Sequence, residues 1–174
     1  MNKLCPICNQ PIIEARGDKK SQILVVGSDV TDEDLEAGYA LSGAYVNVLR
    51  GELAKYGLDL FQMRRTCMWL HPEVKGRTKG DVKEDERDWH FTQVIMEAQD
   101  KKIILLLGST ATRFFLNGQA ATNVSGIPMK ADLLSAEVVM GTRSPLDALY
   151  GNCGEFCLGI KKFAEEVKKG GYYA

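Results

Sequence analysis

No apolar run in this chain reaches the roughly 20 residues that a membrane-crossing helix requires. Its first residues show neither a secretory signal nor a lipidation motif. The expected location is therefore cytoplasmic, with no membrane partner. Neither sign of charge is in excess: 22 Lys and Arg stand against 23 Asp and Glu, a net charge of −1. That excludes the strongly basic class of nucleic-acid binders, so any contact with phosphates has to come from a local basic patch. Internal repeats and low-complexity tracts are missing, which excludes a repeat array. Histidine is scarce, at two residues, and cysteine is odd in number, at five. An odd count in a reducing compartment argues against a disulfide framework. What remains is 174 residues of which 45% are hydrophobic, enough for one domain over 1–174 with a real core and little room for a second.

The N-terminal segment 1–20 is polar and irregular except for Cys5-Pro6-Ile7-Cys8. Two thiols at this spacing grip one metal ion or one corner of an iron–sulfur cluster, but supply only half of a four-coordinate site. The other ligands have to come from further along the chain.

Apolar runs mark the strands. Ile23 to Gly27 and Ile103 to Leu107 are solid apolar segments of the kind buried in parallel sheets, and Leu58–Thr66 and Ala136–Met140 are further candidates. Helical spacing predicts helices over Gly43–Tyr56, Glu84–Gln99, Thr110–Leu116 (with Ser109 as its cap) and Glu155–Lys169, and a turn at Pro145. Residues 68–83, rich in Lys, Arg, Gly and His, read as a loop. Strands alternating with helices predict a three-layer α/β/α sandwich on a four-stranded, mainly parallel sheet. Sites in such folds lie at the carboxyl ends of the strands: here Gly27-Ser28-Asp29, Thr66-Cys67, Gly108-Ser109 and Gly141–Pro145.

Several segments in this order resemble the uracil-DNA glycosylase superfamily, most closely its iron–sulfur branch, the type-four enzymes. Gly27, Gly38 and Gly43 keep the glycine spacing of that family's first motif. Leu107-Gly108-Ser109-Thr110-Ala111, followed by Phe114-Phe115-Leu116, is similar to its central strand and aromatic helix. Met63 to Pro72, through Cys67, is similar to its second strand and following loop, and Ser144-Pro145-Leu146-Asp147-Ala148-Leu149 sits where it has its last motif. The resemblance implies a glycosylase-like fold, base excision from uracil-containing DNA as the reaction, single-stranded or uracil-containing DNA as the partner, and a 4Fe-4S cluster held by Cys5, Cys8, Cys67 and His90. Where the family has its water-positioning Glu, its Pro-Gly, its base-stacking Phe and its final His, this chain has Ser28, Val30-Thr31, Leu41 and Ser144.

The residues also leave other ligand sets open. Cys67 and His71 form a respectable zinc spacing, and Cys153 and Cys157 make a late pair; zinc is the alternative to a cluster. For base chemistry the candidates are Asp29 or Asp34 to orient water and Ser144 to donate a hydrogen bond, with Gly27, Ser28, Tyr39, Leu41 and Asn123 around the pocket. The acidic stretch is equally suited to capping a helix. For phosphate and base contacts the candidates are Arg64, Arg65, Trp69, Lys75, Arg77, Lys79 and Arg143. Two readings of function follow: an enzyme that excises an altered base, or a glycosylase-like binding module for DNA, a nucleotide or a protein partner that kept its metal and lost its chemistry.

Overall fold

In the computed structural model, which describes residues 3–72, 82–151 and 153–173, four strands form one sheet. They are β1 (Ile23–Gly27), β2 (Arg64–Cys67), β3 (Ile103–Leu107) and β4 (Val138–Thr142), in the order β2-β1-β3-β4. Every neighbouring pair is parallel, with Gly27 opposite Cys67 on one side and Leu107 on the other, and Leu107 opposite Thr142. The expected mainly parallel sheet is thus fully parallel.

Both faces of this sheet are covered, which is why its strands read as unbroken apolar runs rather than alternating ones. Ile23, Val25, Ile103, Leu105 and Leu107 point into one core. There they meet Leu49 and Leu53 of α2 (Asn47–Ala54), Ala148 of α6 (Pro145–Leu149), and Phe156, Ile160 and Phe163 of α7 (Cys153–Gly170). Leu24, Val26, Ile104 and Leu106 point the other way. On that side lie Phe91, Val94 and Ala98 of α3 (Glu84–Ala98), Ala111 and Phe115 of α4 (Ser109–Phe115), and Val124 of α5 (Ala121–Val124). The result is a three-layer α/β/α sandwich. Among the described residues no helix is long and apolar enough to cross a membrane.

Several boundaries differ from the sequence reading, each for a local reason. Asp32–Ala37 forms α1, because Thr31 and Asp34 make a reciprocal capping box and Gly38 closes the helix at φ 81°. The strand read from Leu58 begins only at Arg64, since Asp59 caps a short 3-10 turn over Leu60–Gln62. The last strand runs on to Thr142: Gly141 reads as a strand end, yet it lies in the sheet where a Cβ would meet Thr112 Cγ2 at 2.9 Å. The first residue of α4 is Ser109, and the cap position is Gly108 at φ 87°.

Two arginines in β2 are buried without breaking the sheet. Arg64 makes a bidentate pair with Glu97 of α3, Nε to Oε2 and Nη2 to Oε1 both at 2.7 Å. Arg65 donates to the carbonyls of Ala40 and Leu60. The free edge of β2 is covered by the N-terminal segment. Arg16 and Arg65 exchange two backbone bonds of 2.9 and 2.8 Å, and the Ile13 N–H donates to the Leu70 carbonyl at 2.8 Å. That segment therefore runs along the sheet, with the Ile13 side chain in the core.

Candidate metal centre and strand-end crevice

The chain turns back on itself at the cysteine pair. The Cys5 N–H donates to the Gln10 carbonyl and the Asn9 N–H to the Cys5 carbonyl, both at 2.8 Å, so the two thiols project from one tight turn. Leu4 and Pro11 pair across its base. Facing the turn are His71, just past the end of β2, and Glu86 in the first turn of α3. One ligand atom from each of Cys5, Cys8, His71 and Glu86 lies within 4.8 Å of the others, a group positioned to bind a metal. Cys8 Sγ is 3.3 Å from His71 Nε2, and His71 Nε2 is 3.4 Å from Glu86 Oε1. Metal–ligand bonds of roughly 2.0–2.3 Å put neighbouring ligand atoms about 3.3–3.8 Å apart on a tetrahedron. The two spacings that involve His71 fall in that range.

The hydrogen bonds assign proton positions. His71 Nδ1 donates to the Pro72 carbonyl at 2.8 Å, which leaves Nε2 with its lone pair toward the cysteines, the arrangement that orients metal-binding imidazoles. His90 is fully buried four residues after Glu86, on the same helix face. Its Nδ1 accepts the Leu70 N–H at 3.3 Å, so its Nε2 carries the hydrogen, 3.2 Å from His71 Nε2 and 3.9 Å from Cys5 Sγ. Burial, reinforced by repulsion from His71, holds its pKa down at about 4. Burial likewise pushes the Cys8 thiol up to about 11. A bound cation reverses that preference by favouring the thiolate.

Cys67 lies elsewhere. It ends β2 with its sulfur turned into the core, 2.9 Å from where a Cβ on Gly27 would sit. Burial, with the charges of Asp34 and Asp29, keeps its thiol protonated. The four residues beyond it carry the chain to His71, which occupies the place in the group that the resemblance gave to Cys67. Residues 68–71 are accordingly not a solvated loop: Met68, Leu70 and His71 are buried. Cys153 and Cys157 lie in α7, outside the group, with Glu52 of α2 and its C-cap Lys55 beside Cys157. Glu86, a member of this group, was not among the expected ligands, although its spacing to His90 carries the signal.

At the carboxyl ends of the strands, the crevice lies between β1 and β3, where the chain reverses direction across the sheet. Ser28 donates to the Leu107 carbonyl at 2.8 Å and accepts the Ala111 N–H at 3.3 Å. A Cβ on Gly108 would meet Ser28 Oγ at 2.8 Å and Ser144 Cβ at 3.2 Å, so glycine is what lets the three converge. Ser144 caps α6, accepting from Leu146 and Asp147. Asp34 is fully buried, and its carboxylate accepts six hydrogen bonds: the Thr31, Ser42 and Gly43 amides and the Thr31, Ser42 and Tyr45 hydroxyls. It shapes the loop after α1. Leu41 sits at φ 53°, buried against Gly27 as a core side chain. Asp29 and Asn123 are exposed, and Tyr39 is half-buried.

The expected phosphate contacts scatter. Arg65 is buried, Arg143 pairs with Glu155 at 2.6 Å, and the half-buried Trp69 ring packs edge-on against His90 and Phe91. Lys75, Arg77 and Lys79 lie outside the described residues. No model of a known protein family matches this chain, and no curated protein matches it.

Proposed function

We propose that this chain is a divergent protein on a uracil-DNA glycosylase-like scaffold, a DNA-binding module stabilised by a structural zinc ion rather than a working glycosylase. The observation that carries this reading is the use made of the residues at the strand-end crevice. Asp34 is saturated by its own loop, Ser28 ties β1 to β3 and α4, Ser144 caps a helix, and Leu41 is core. Excision needs a positioned water, a stacked base and a donor for the departing base anion. Groups already spent on internal hydrogen bonds are poorly suited to supply them.

Zinc is favoured over a 4Fe-4S cluster by the donor set. The group holds two thiols, one imidazole and one carboxylate, a mixture that zinc accepts, whereas such clusters ordinarily take four thiolates. Cys5, Cys8, His71 and Glu86 would hold the ion, and its contribution would be to tie the N-terminal turn to β2 and α3.

The test is incubation with a single-stranded oligonucleotide containing one uracil, followed by alkali. We expect DNA binding and an intact strand. Cleavage at the uracil overturns the loss of catalysis, and a failure to bind DNA at low salt overturns the DNA-binding reading.

A further inference from the structure

Five side chains at the covered edge of β2 form an alternating ladder of cations and rings. The Arg50 guanidinium of α2 stands 4.3 Å from the centre of the Phe61 ring, and that of Arg65 stands 4.7 Å from the same ring. Arg65 is in turn 5.7 Å from the Tyr39 ring, and Arg16 is 5.0 Å from it. The order in space is Arg50, Phe61, Arg65, Tyr39, Arg16. Five separate parts of the fold are needed to build it: α2, the 3-10 turn before β2, β2 itself, the segment after α1 that carries Tyr39, and the N-terminal segment that pairs with β2.

Two features distinguish this ladder from ordinary surface packing. None of the three guanidinium groups forms an ion pair with a described residue, whereas Arg64, Arg87 and Arg143 all do. Among the described residues, only the nearby charge of Asp59 offsets these three cations. Burial, together with repulsion from Arg16 and Arg50, depresses the Arg65 pKa. Phe61 is also 44% exposed, although its position costs apolar contact with water. The centre of the ladder is rigid, since two backbone carbonyls hold Arg65. Its ends are free: Arg16 and Arg50 are exposed, and the Arg50 guanidinium is tied only to the Asn47 side chain, at 3.2 Å.

We propose that the ladder Arg50–Phe61–Arg65–Tyr39–Arg16 is a platform for single-stranded nucleic acid, with the rings holding the guanidinium planes, bases stacking on the outer planes of Arg50 and Arg16, and the same two arginines meeting the phosphates. Sequence-tolerant stacking beside a track of positive charge is the chemistry by which proteins hold single strands. Arginine suits it because its planar group both stacks and pairs with phosphate. An acidic peptide would satisfy the charges but would make no use of the planar outer faces of Arg16 and Arg50. The inference rests on the DNA-binding reading above and assigns it a surface away from the strand-end crevice.

The experiment is fluorescence anisotropy with a labelled 20-residue oligothymidylate, on the wild-type chain and on Phe61→Ala, Arg50→Glu and Arg16→Ala. These side chains are exposed, so calorimetric midpoints near wild type check that each variant folds. Phe61→Ala is expected to weaken binding about tenfold. Arg16→Ala is expected to reduce the salt slope by about 0.7, the loss of one phosphate contact on a single strand. If the wild type binds and all three variants bind equally well, the ladder is overturned while the DNA-binding reading stands. If the wild type binds polyglutamate but not the oligothymidylate, both are overturned.

Discussion

Replacing Cys8 by alanine separates the metal's contribution from that of packing. Cys8 is only partly buried, so losing its sulfur costs little contact, whereas Cys5 is fully buried and would confuse the two effects. A ligand that binds only the folded state at a thousandfold its dissociation constant adds about 4 kcal/mol. For a chain of this length each kcal/mol moves the thermal midpoint by about 2–4 °C, so stripping the metal should lower it by about 8–16 °C. Calorimetry with and without a chelator, paired with elemental analysis, reads this directly. The wild type should carry close to one zinc per chain, remain colourless, and lose those degrees on chelation. Cys8→Ala should carry no metal, melt near the chelated wild type, and ignore the chelator. Cys67→Ser, whose sulfur lies in the core outside the group, should keep both metal and chelator response despite some loss of stability. The reverse pattern, with Cys67→Ser losing the metal and Cys8→Ala keeping it, would refute the ligand group. A brown protein absorbing near roughly 400 nm would refute zinc.

Two further predictions concern the frame around the site. Asp34→Ala should lower unfolding free energy by about 2–4 kcal/mol in urea titrations, because the Thr31, Ser42 and Gly43 amides and the Tyr45 hydroxyl lose their acceptor together; an unchanged midpoint would mean the loop holds itself. Glu97→Gln should cost about 1–3 kcal/mol by leaving the buried Arg64 half-paired, and the double change Arg64→Met with Glu97→Leu should recover much of it, since an apolar pair carries no desolvation penalty. A double variant less stable than Glu97→Gln would argue that the ion pair itself stabilises the fold.

Much of the architecture was legible in the sequence because its strands are buried on both faces. Ile23–Gly27 and Ile103–Leu107 announce themselves as continuous apolar runs, and the helices between them follow from spacing. Legibility failed where local chemistry competed with pattern. The acidic stretch after β1 reads either as a catalytic loop or as a helix cap, and the reciprocal Thr31–Asp34 box shows it to be the cap. Gly141 reads as a terminus until the sheet continues through it.

The candidate metal group divides along the same line. Cys5 and Cys8 were determined by the sequence alone, since two thiols at this spacing in a tight turn have few other uses. Their partners were decided only by the tertiary structure. Cys67 and His71 are both candidate ligands on paper, and the parallel strand brings only His71 into the group. Cys67 still belongs to β2 and turns its sulfur toward Gly27, while the chain leaving the sheet carries His71 across to the cysteine turn. Glu86 and His90 reach the same place because they lie one helical turn apart on one face of α3. The ladder at the β2 edge is likewise invisible in sequence, since α2, the turn before β2, β2, the segment after α1 and the N-terminal segment meet there only in the folded chain. Short-range chemistry can be read along the chain, but a site made by distant segments exists only once the sheet has set their register.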